Sequence, residues 1–376
     1  MTVGYLSGKQ PGSPEAKAIA GAEQMQTKHT TQRQGYDDAL IRIPVVVHVL
    51  YNDATQNISE AQVKSGIEAL NRDFRRKADD TSNTPLRFRP IAADVQVEFY
   101  LATADPFGRS TNGIVRKQSS RIAWMADDKM KMAAQGGDNP WDSKSYLNIW
   151  VVNLAGGSGY ASVPGSAAET DGVVINYTAF GTINTAAPFN RGRTVVHEVG
   201  HWLGLKHIWG DAECGNDGVD DTPPQSFFTK GCPSGFRSSC GNGTQGDMYM
   251  NFMDYTDDAC MNLFTAGQRS RMRLQFAEGG WRASLLQSKG LSEPWMQQAA
   301  LPDVVAIIYP NPAQENVTLQ VSPSLIGKKL SLFNSQGLLQ KVETITSTRQ
   351  TLSLTGLKAG VYFLRSDDFL QKFVRL

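Results

Sequence analysis

Eleven consecutive residues constrain this chain more than any other stretch: His197-Glu198-Val199-Gly200-His201-Trp202-Leu203-Gly204-Leu205-Lys206-His207. Histidines four apart project from one face of a helix, one turn above the other. At that spacing both imidazoles reach a single ion at about 2.0–2.1 Å. Gly204 tolerates positive φ, so it can end the helix and turn the chain sharply. The turn brings His207 round as a third ligand. Three protein ligands leave a fourth position for water, the pattern of a catalytic rather than a structural zinc site. Glu198 is not needed as a ligand. Beside the site it suits a general base that activates the zinc-bound water and passes the proton to a leaving amine. Peptide hydrolysis is the chemistry this arrangement favours. Only five histidines occur in the chain, so three within eleven positions form a concentrated signal. His48, inside a strand-like run, reads as an ordinary sheet histidine, and His29 lies in a polar arm.

At roughly 100–200 residues per domain, 376 residues suggest two domains. Apolar residues at 40% exclude a wholly disordered chain. A net charge of +1 excludes a global positive field for nucleic acid or anionic lipid. No run approaches the ~18 apolar residues of a membrane span. The first residues lack the apolar core of a secretory signal, which alone suggests the cytosol. The cysteines argue otherwise. Cys214, Cys232, Cys240 and Cys260 lie in one loop-rich stretch without a C-x-x-C pair, and this reads as two disulfides with three possible pairings.

Along the chain, the β-branched run from Arg42 to Leu50 predicts a buried strand. Ser59-Glu60-Ala61-Gln62 reads as a capping box, with Val63, Ile67, Leu70 and Phe74 at helical spacing behind it. Strands are predicted at Val95–Leu101, Leu147–Leu154 and Val173–Tyr177, and helices at Thr194–Leu205 and Thr265–Phe276. Residues 210–260 have little periodicity; a loop that long is normally functional or pinned. After residue 303 the texture changes to short alternating strands: 317–321, 330–333, 350–354, 361–364 and 372–374.

The extended motif resembles that of the metzincin metalloproteases. In the same resemblance, Asn251-Phe252-Met253-Asp254-Tyr255 looks like the Met-turn, with Met253 as an apolar floor under the imidazoles. Tyr255 matches a tyrosine that in several such families ligates zinc or swings to donate to the transition-state oxyanion. RIPVVVHVLYN, LNRDFRR, LNIWVVNL with GGSGYASVPG, and NFMDYTDDACMNLFTAGQ make the finer resemblance one to the pappalysin family, in its bacterial ulilysin-like branch, over about residues 40–285. That resemblance implies the pairings Cys214–Cys240 and Cys232–Cys260. It implies a calcium ion near the active site, for which Asp217, Asp220, Asp221 and Thr222 offer hard oxygen ligands. It also implies that the strand around Gly156–Tyr160 binds extended substrate as an added strand. Asp257 and Asp258 follow the Met-turn, where a pocket wall with a carboxylate would favour Arg or Lys in the substrate. Some relatives silence the zinc with a pro-segment cysteine. No Cys precedes residue 214 here, so the expectation is either that the relevant pro-segment has been lost or that another group, such as Asp37 or Asp38, blocks the zinc.

The tail, with Tyr309-Pro310-Asn311-Pro312, Leu357–Leu364 and the closing Lys372–Leu376, resembles a type IX secretion sorting domain. That resemblance implies export through outer-membrane secretion machinery, and a leader trimmed or lying upstream. The expected fold is α+β: a metzincin-type catalytic domain with a twisted mixed sheet, an active-site helix and an irregular disulfide-pinned subdomain, plus a small all-β sandwich. The expected bounds are a polar arm at 1–40, the protease domain at 41–287, a linker at 288–303 and the sandwich at 304–376. The expected protein is a secreted or cell-surface zinc endopeptidase acting on protein or peptide substrates. Its competitor is a surface-binding protein with a vestigial zinc site, distinguished by metal analysis and a chelator-sensitive peptidase assay.

Overall fold

The computed structural model describes residues 39–294 and 306–376. The expected arm, with His29, Asp37 and Asp38, lies outside these residues, as does the expected linker from residue 295 onward. The chain divides between Trp295 and Met296 into two compact units.

The first unit is built on a mixed sheet. Its strands are β1 (Ile41–Tyr51), β3 (Val97–Leu101), β4 (Ile114–Gln118), β5 (Leu147–Val152), β6 (Gly159–Ala161) and β7 (Val173–Asn176). The order is β3-β1-β5-β7-β6, with β4 extending the β3 edge of β1. All pairings are parallel except that of β6 with β7. A short antiparallel pair joins β2 (Ala92–Ala93) to β8 (Phe264–Thr265). Strand β5 is buried at every position because both faces of the sheet are covered. Leu147, Ile149 and Val151 face the main core with Val173 and Ile175, while Trp150 and Val152 join Trp124, Met130 and Tyr160 on the other face. His48 is a buried sheet residue between Asp138 and Asn148, stacked on Trp150.

Helix α1 (Glu60–Phe74) starts at Ser59, whose hydroxyl accepts the Gln62 N–H at 3.1 Å. The expected capping box is only half formed. The Gln62 side chain is drawn away from the Ser59 N–H it would accept, because its amide donates to Tyr177 O and Phe180 O in the core. Helix α2 (Arg193–Trp202) is buried along its whole length and stops two residues before Gly204, which has φ +91°. Its N-terminus has no local side-chain cap. Asp258, from beyond the Met-turn, supplies one: its Oδ2 accepts the N–H groups of Arg191 and Arg193 at 2.8 and 3.1 Å. The expected pocket-wall role for Asp258 is therefore corrected, since its carboxylate is buried and turned to the helix end. Helix α3 (Ala266–Leu274) follows a complete capping box of Thr265 and Gln268.

Arg193 ties this end of α2 to the rest of the unit. Its guanidinium donates to both oxygens of Asp80 at 2.8 Å, to Asp73 at 3.2 Å and to the carbonyl of Asp258. Burial would raise the carboxyl of Asp80, but Arg193, helped by Arg191 and Arg72, outweighs that and holds it below its ordinary range.

Cys214 is bonded to Cys240 and Cys232 to Cys260. The two closed loops interleave and pin residues 214–260. The first unit stays ordered beyond residue 287: Gly290 O accepts from Thr103 and Ala104, and Ser288 donates to Ser145 O.

The second unit is a β-sandwich. One sheet orders β13 (Arg349–Ser353), β10 (Asn316–Val321) and β9 (Ala306–Tyr309). The other orders β12 (Leu339–Thr344), β11 (Lys329–Asn334), β14 (Gly360–Arg365) and β15 (Leu370–Arg375). Val317, Leu319, Leu330, Leu332, Leu364 and Phe373 fill the space between them. Strand β12 is almost wholly exposed, so it lacks the apolar alternation that marks the others in sequence.

Candidate metal centre

His197 and His201 leave the same face of α2, and the Gly204 turn returns His207 to them. Nε2 of His201 lies 3.0 Å from Nε2 of His197 and 3.1 Å from Nε2 of His207. Among the described residues this is the one cluster of three metal-ligating side chains. Each ring is held from behind. His197 Nδ1 donates to Phe252 O at 2.7 Å, His201 Nδ1 to Leu205 O at 2.9 Å, and His207 Nδ1 to the Asp211 carboxylate. A carbonyl or carboxylate only accepts, so each Nδ1 carries the proton and each Nε2 presents a lone pair. Burial, reinforced by the neighbouring imidazoles, pushes His197 well below its ordinary value and His201 down to about 3. Both rings are therefore neutral, the form that ligates. Two nitrogens at about 2.0–2.1 Å from one tetrahedral ion stand roughly 3.3 Å apart, so the spacing and the all-imidazole donor set fit zinc.

The floor of the site is the Met-turn. Met253 is fully buried, and a Cβ placed on Gly200 would lie 2.5 Å from its Sδ, so only glycine lets the turn approach α2 this closely. Asn251 holds the turn by accepting from Met253 N and by a reciprocal amide pair with Gln268. Asp254, buried, accepts from Thr229 N, Gln225 Nε2 and Tyr255 N, joining the preceding loop to the turn. Burial pushes its carboxyl up to about 6 against those hydrogen bonds. The Tyr255 ring centroid is 4.8 Å from His207 and 4.9 Å from Trp209, and Trp209 stacks on His207 at 4.3 Å and 7°.

Glu198 is 2% exposed and makes no hydrogen bond among the described residues. Burial raises its carboxyl well above the ordinary value. Its side chain reaches the edge strand β6, where a Cβ on Gly159 would lie 3.0 Å from Glu198 Oε1 and Cγ. Gly159→Val is expected to displace this carboxylate and lower kcat by about 10–100-fold, the penalty of a small misplacement of a reacting group. Metal content should be unchanged, which is checked by measuring kcat and bound metal on the same preparation.

The expected calcium residues are engaged elsewhere. Asp217 accepts from Val219 N and Thr222 Oγ1. Asp221 accepts from Thr265 Oγ1 and Gly267 N. Asp220 is exposed, and these carboxylates do not converge on one point. Sequence reasoning did not single out Asp211, Trp209, Asp254 or Gly159. Only Asp211 carries a local signal, an acid four residues after the third histidine.

Comparison with known proteins adds the following. Residues 131–277 match the peptidase M43 family, described as pregnancy-associated plasma protein-A. Residues 307–375 match the secretion system C-terminal sorting domain. Mature mirolysin of Tannerella forsythia, solved with a cleaved peptide, is 47% identical; the alignment covers 66% of this chain and 96% of that one, with a TM-score of 0.65. A promirolysin mutant of the same organism is 44% identical over 73% of this chain and 93% of that one, with a TM-score of 0.70. An extracellular metalloprotease of Pyricularia oryzae is 32% identical over 273 residues, 69% of this chain and 82% of the relative.

Proposed function

The chain belongs to the pappalysin family of secreted metalloendopeptidases, and from that premise we propose that it is a zinc endopeptidase in which Glu198 is the general base. The observation that supports this most is the convergence of the three Nε2 lone pairs, with the buried Glu198 next in sequence to the first of these histidines. A zinc ion held by His197, His201 and His207 supplies Lewis acidity at the scissile carbonyl and acidifies water. Glu198 takes a proton from the attacking water and returns it to the leaving amine. Burial raises its affinity for that proton, which suits a group that must receive it and hand it on. Tyr255 donates its phenolic hydrogen to the oxygen that gains negative charge. The edge strand β6 binds an extended substrate by main-chain hydrogen bonds.

Incubation with 1,10-phenanthroline should abolish casein cleavage, and zinc should restore it. Activity that survives metal removal would refute the reading. Calcium at Asp217, Asp220, Asp221 and Thr222 remains part of the proposal on their hard oxygen donors. Binding there would require the hydrogen bonds at Asp217 and Asp221 to rearrange. The same assay with EGTA under buffered zinc checks it; unchanged activity and melting temperature remove calcium.

We place the catalytic domain at 41–287, the linker at 288–303, with Ser288 to Gly290 still hydrogen-bonded to the catalytic domain, and the sorting domain at 304–376. The sandwich would engage outer-membrane secretion machinery. A chain ending at residue 294 should then stay cell-associated, and undiminished release to the medium would count against this role.

A further inference from the structure

The three histidines are not held alike. His197 and His201 each donate Nδ1–H to a backbone carbonyl, of Phe252 and Leu205. Those acceptors come with the fold, because one is part of the Met-turn and the other of the Gly204 turn. His207 lies past the end of α2, and its Nδ1 partner is the Asp211 carboxylate. Asp211 has φ +59° and follows Gly210 at φ +63°, so the backbone doubles back and returns a side chain from position 211 to position 207. Cys214, three residues on, is tied to Cys240. Trp209 covers one face of the His207 ring and Tyr255 meets it edge-on.

We propose that Asp211 is a positioning residue that sets the tautomer, orientation and donor strength of His207, the ligand whose Nδ1 donates to a side-chain carboxylate where the other two donate to backbone carbonyls. The proposal rests on the reading of His197, His201 and His207 as zinc ligands. A carboxylate behind an imidazole fixes the proton on Nδ1 and raises the basicity of Nε2, and losing such a partner costs about 10–100-fold in metal affinity. Asp211 lies on the Nδ1 side of the His207 ring, away from the Nε2 that faces the other two histidines, so its effect is read on the metal.

The test is zinc affinity of the full chain, measured by competition with a chromophoric chelator, alongside the visible spectrum of the cobalt-substituted protein. Asp211→Gly removes the side chain while keeping a residue that accepts positive φ. Asp211→Asn keeps an acceptor and also tolerates that backbone conformation, but removes the charge. Zinc affinity should fall by about 10–100-fold in Asp211→Gly and by less in Asp211→Asn, with altered cobalt bands in the glycine variant. Affinity of Asp211→Gly within about twofold of the parent, with an unchanged cobalt spectrum, would overturn the assignment. Failure of the parent chain to bind zinc would instead overturn the reading of the histidine triad.

Discussion

Glu198→Gln should lower kcat on casein by roughly 10²–10⁴-fold while leaving bound zinc unchanged. Glutamine matches glutamate in shape, so the packing against Gly159 survives; what is lost is a group able to accept a proton. Three features make the effect large. The carboxylate is almost fully buried, so solvent does not readily replace it as a base. It makes no hydrogen bond to the described residues that would hold it in a purely structural role. Burial raises its proton affinity above that of an ordinary carboxylate, which strengthens it as a base. The histidines keep their backing partners, so metal binding and catalysis separate cleanly. If Glu198→Gln retained parental kcat, Glu198 would not be the base, even with the metal in place.

Arg193→Met is expected to cost up to about 3–5 kcal/mol of stability in the first unit, because it leaves Asp73 and Asp80 only their more exposed partners Arg72 and Arg191. For a unit of this size that corresponds to a fall of roughly 10 °C in melting temperature, measured by calorimetry in saturating zinc. The side chain is 1% exposed, so solvent cannot take over its role. The same residue spans three segments: Asp73 ends α1, Asp80 lies in the following turn, and Asp258 closes the Met-turn region. Its guanidinium also lies over the Phe252 ring, whose carbonyl backs His197. Asp80 is held below its ordinary range, so its share of the stabilisation is present above the ordinary carboxylate value and lost in acid as pH falls through the lowered one. A loss below about 1 kcal/mol would mean that the ion network contributes little net energy.

The metal-binding helix was legible because its message is local: two histidines at i and i+4, then a glycine that can take positive φ. The central strands β1, β5 and β7 were legible for a similar reason, since a sheet covered on both faces demands β-branched runs such as Val45-Val46-Val47, whereas the largely uncovered β4 was not. What stayed hidden is non-local. Asp258 caps a helix that begins 65 residues earlier, and no spacing rule connects them. Gln62 sits where a capping box expects it, yet the carbonyls of Tyr177 and Phe180 take its side chain. The glycine at 159 looks like part of a turn in the sequence; only the packed structure shows that it makes room for a carboxylate. Strand β12 escaped because an exposed edge places no apolar demand on its residues.

The interleaved cross-links have one more consequence. A protease exposes its own chain to its own active centre, and an aperiodic segment of some fifty residues is the natural substrate for that accident. Cleavage requires several residues to open into an extended form, and segments that open locally are the ones lost first. Loops of 26 and 28 residues closed over one another restrict such opening throughout 214–260. The same bonds that hold the catalytic floor in place thereby protect the enzyme from autolysis at its most vulnerable stretch.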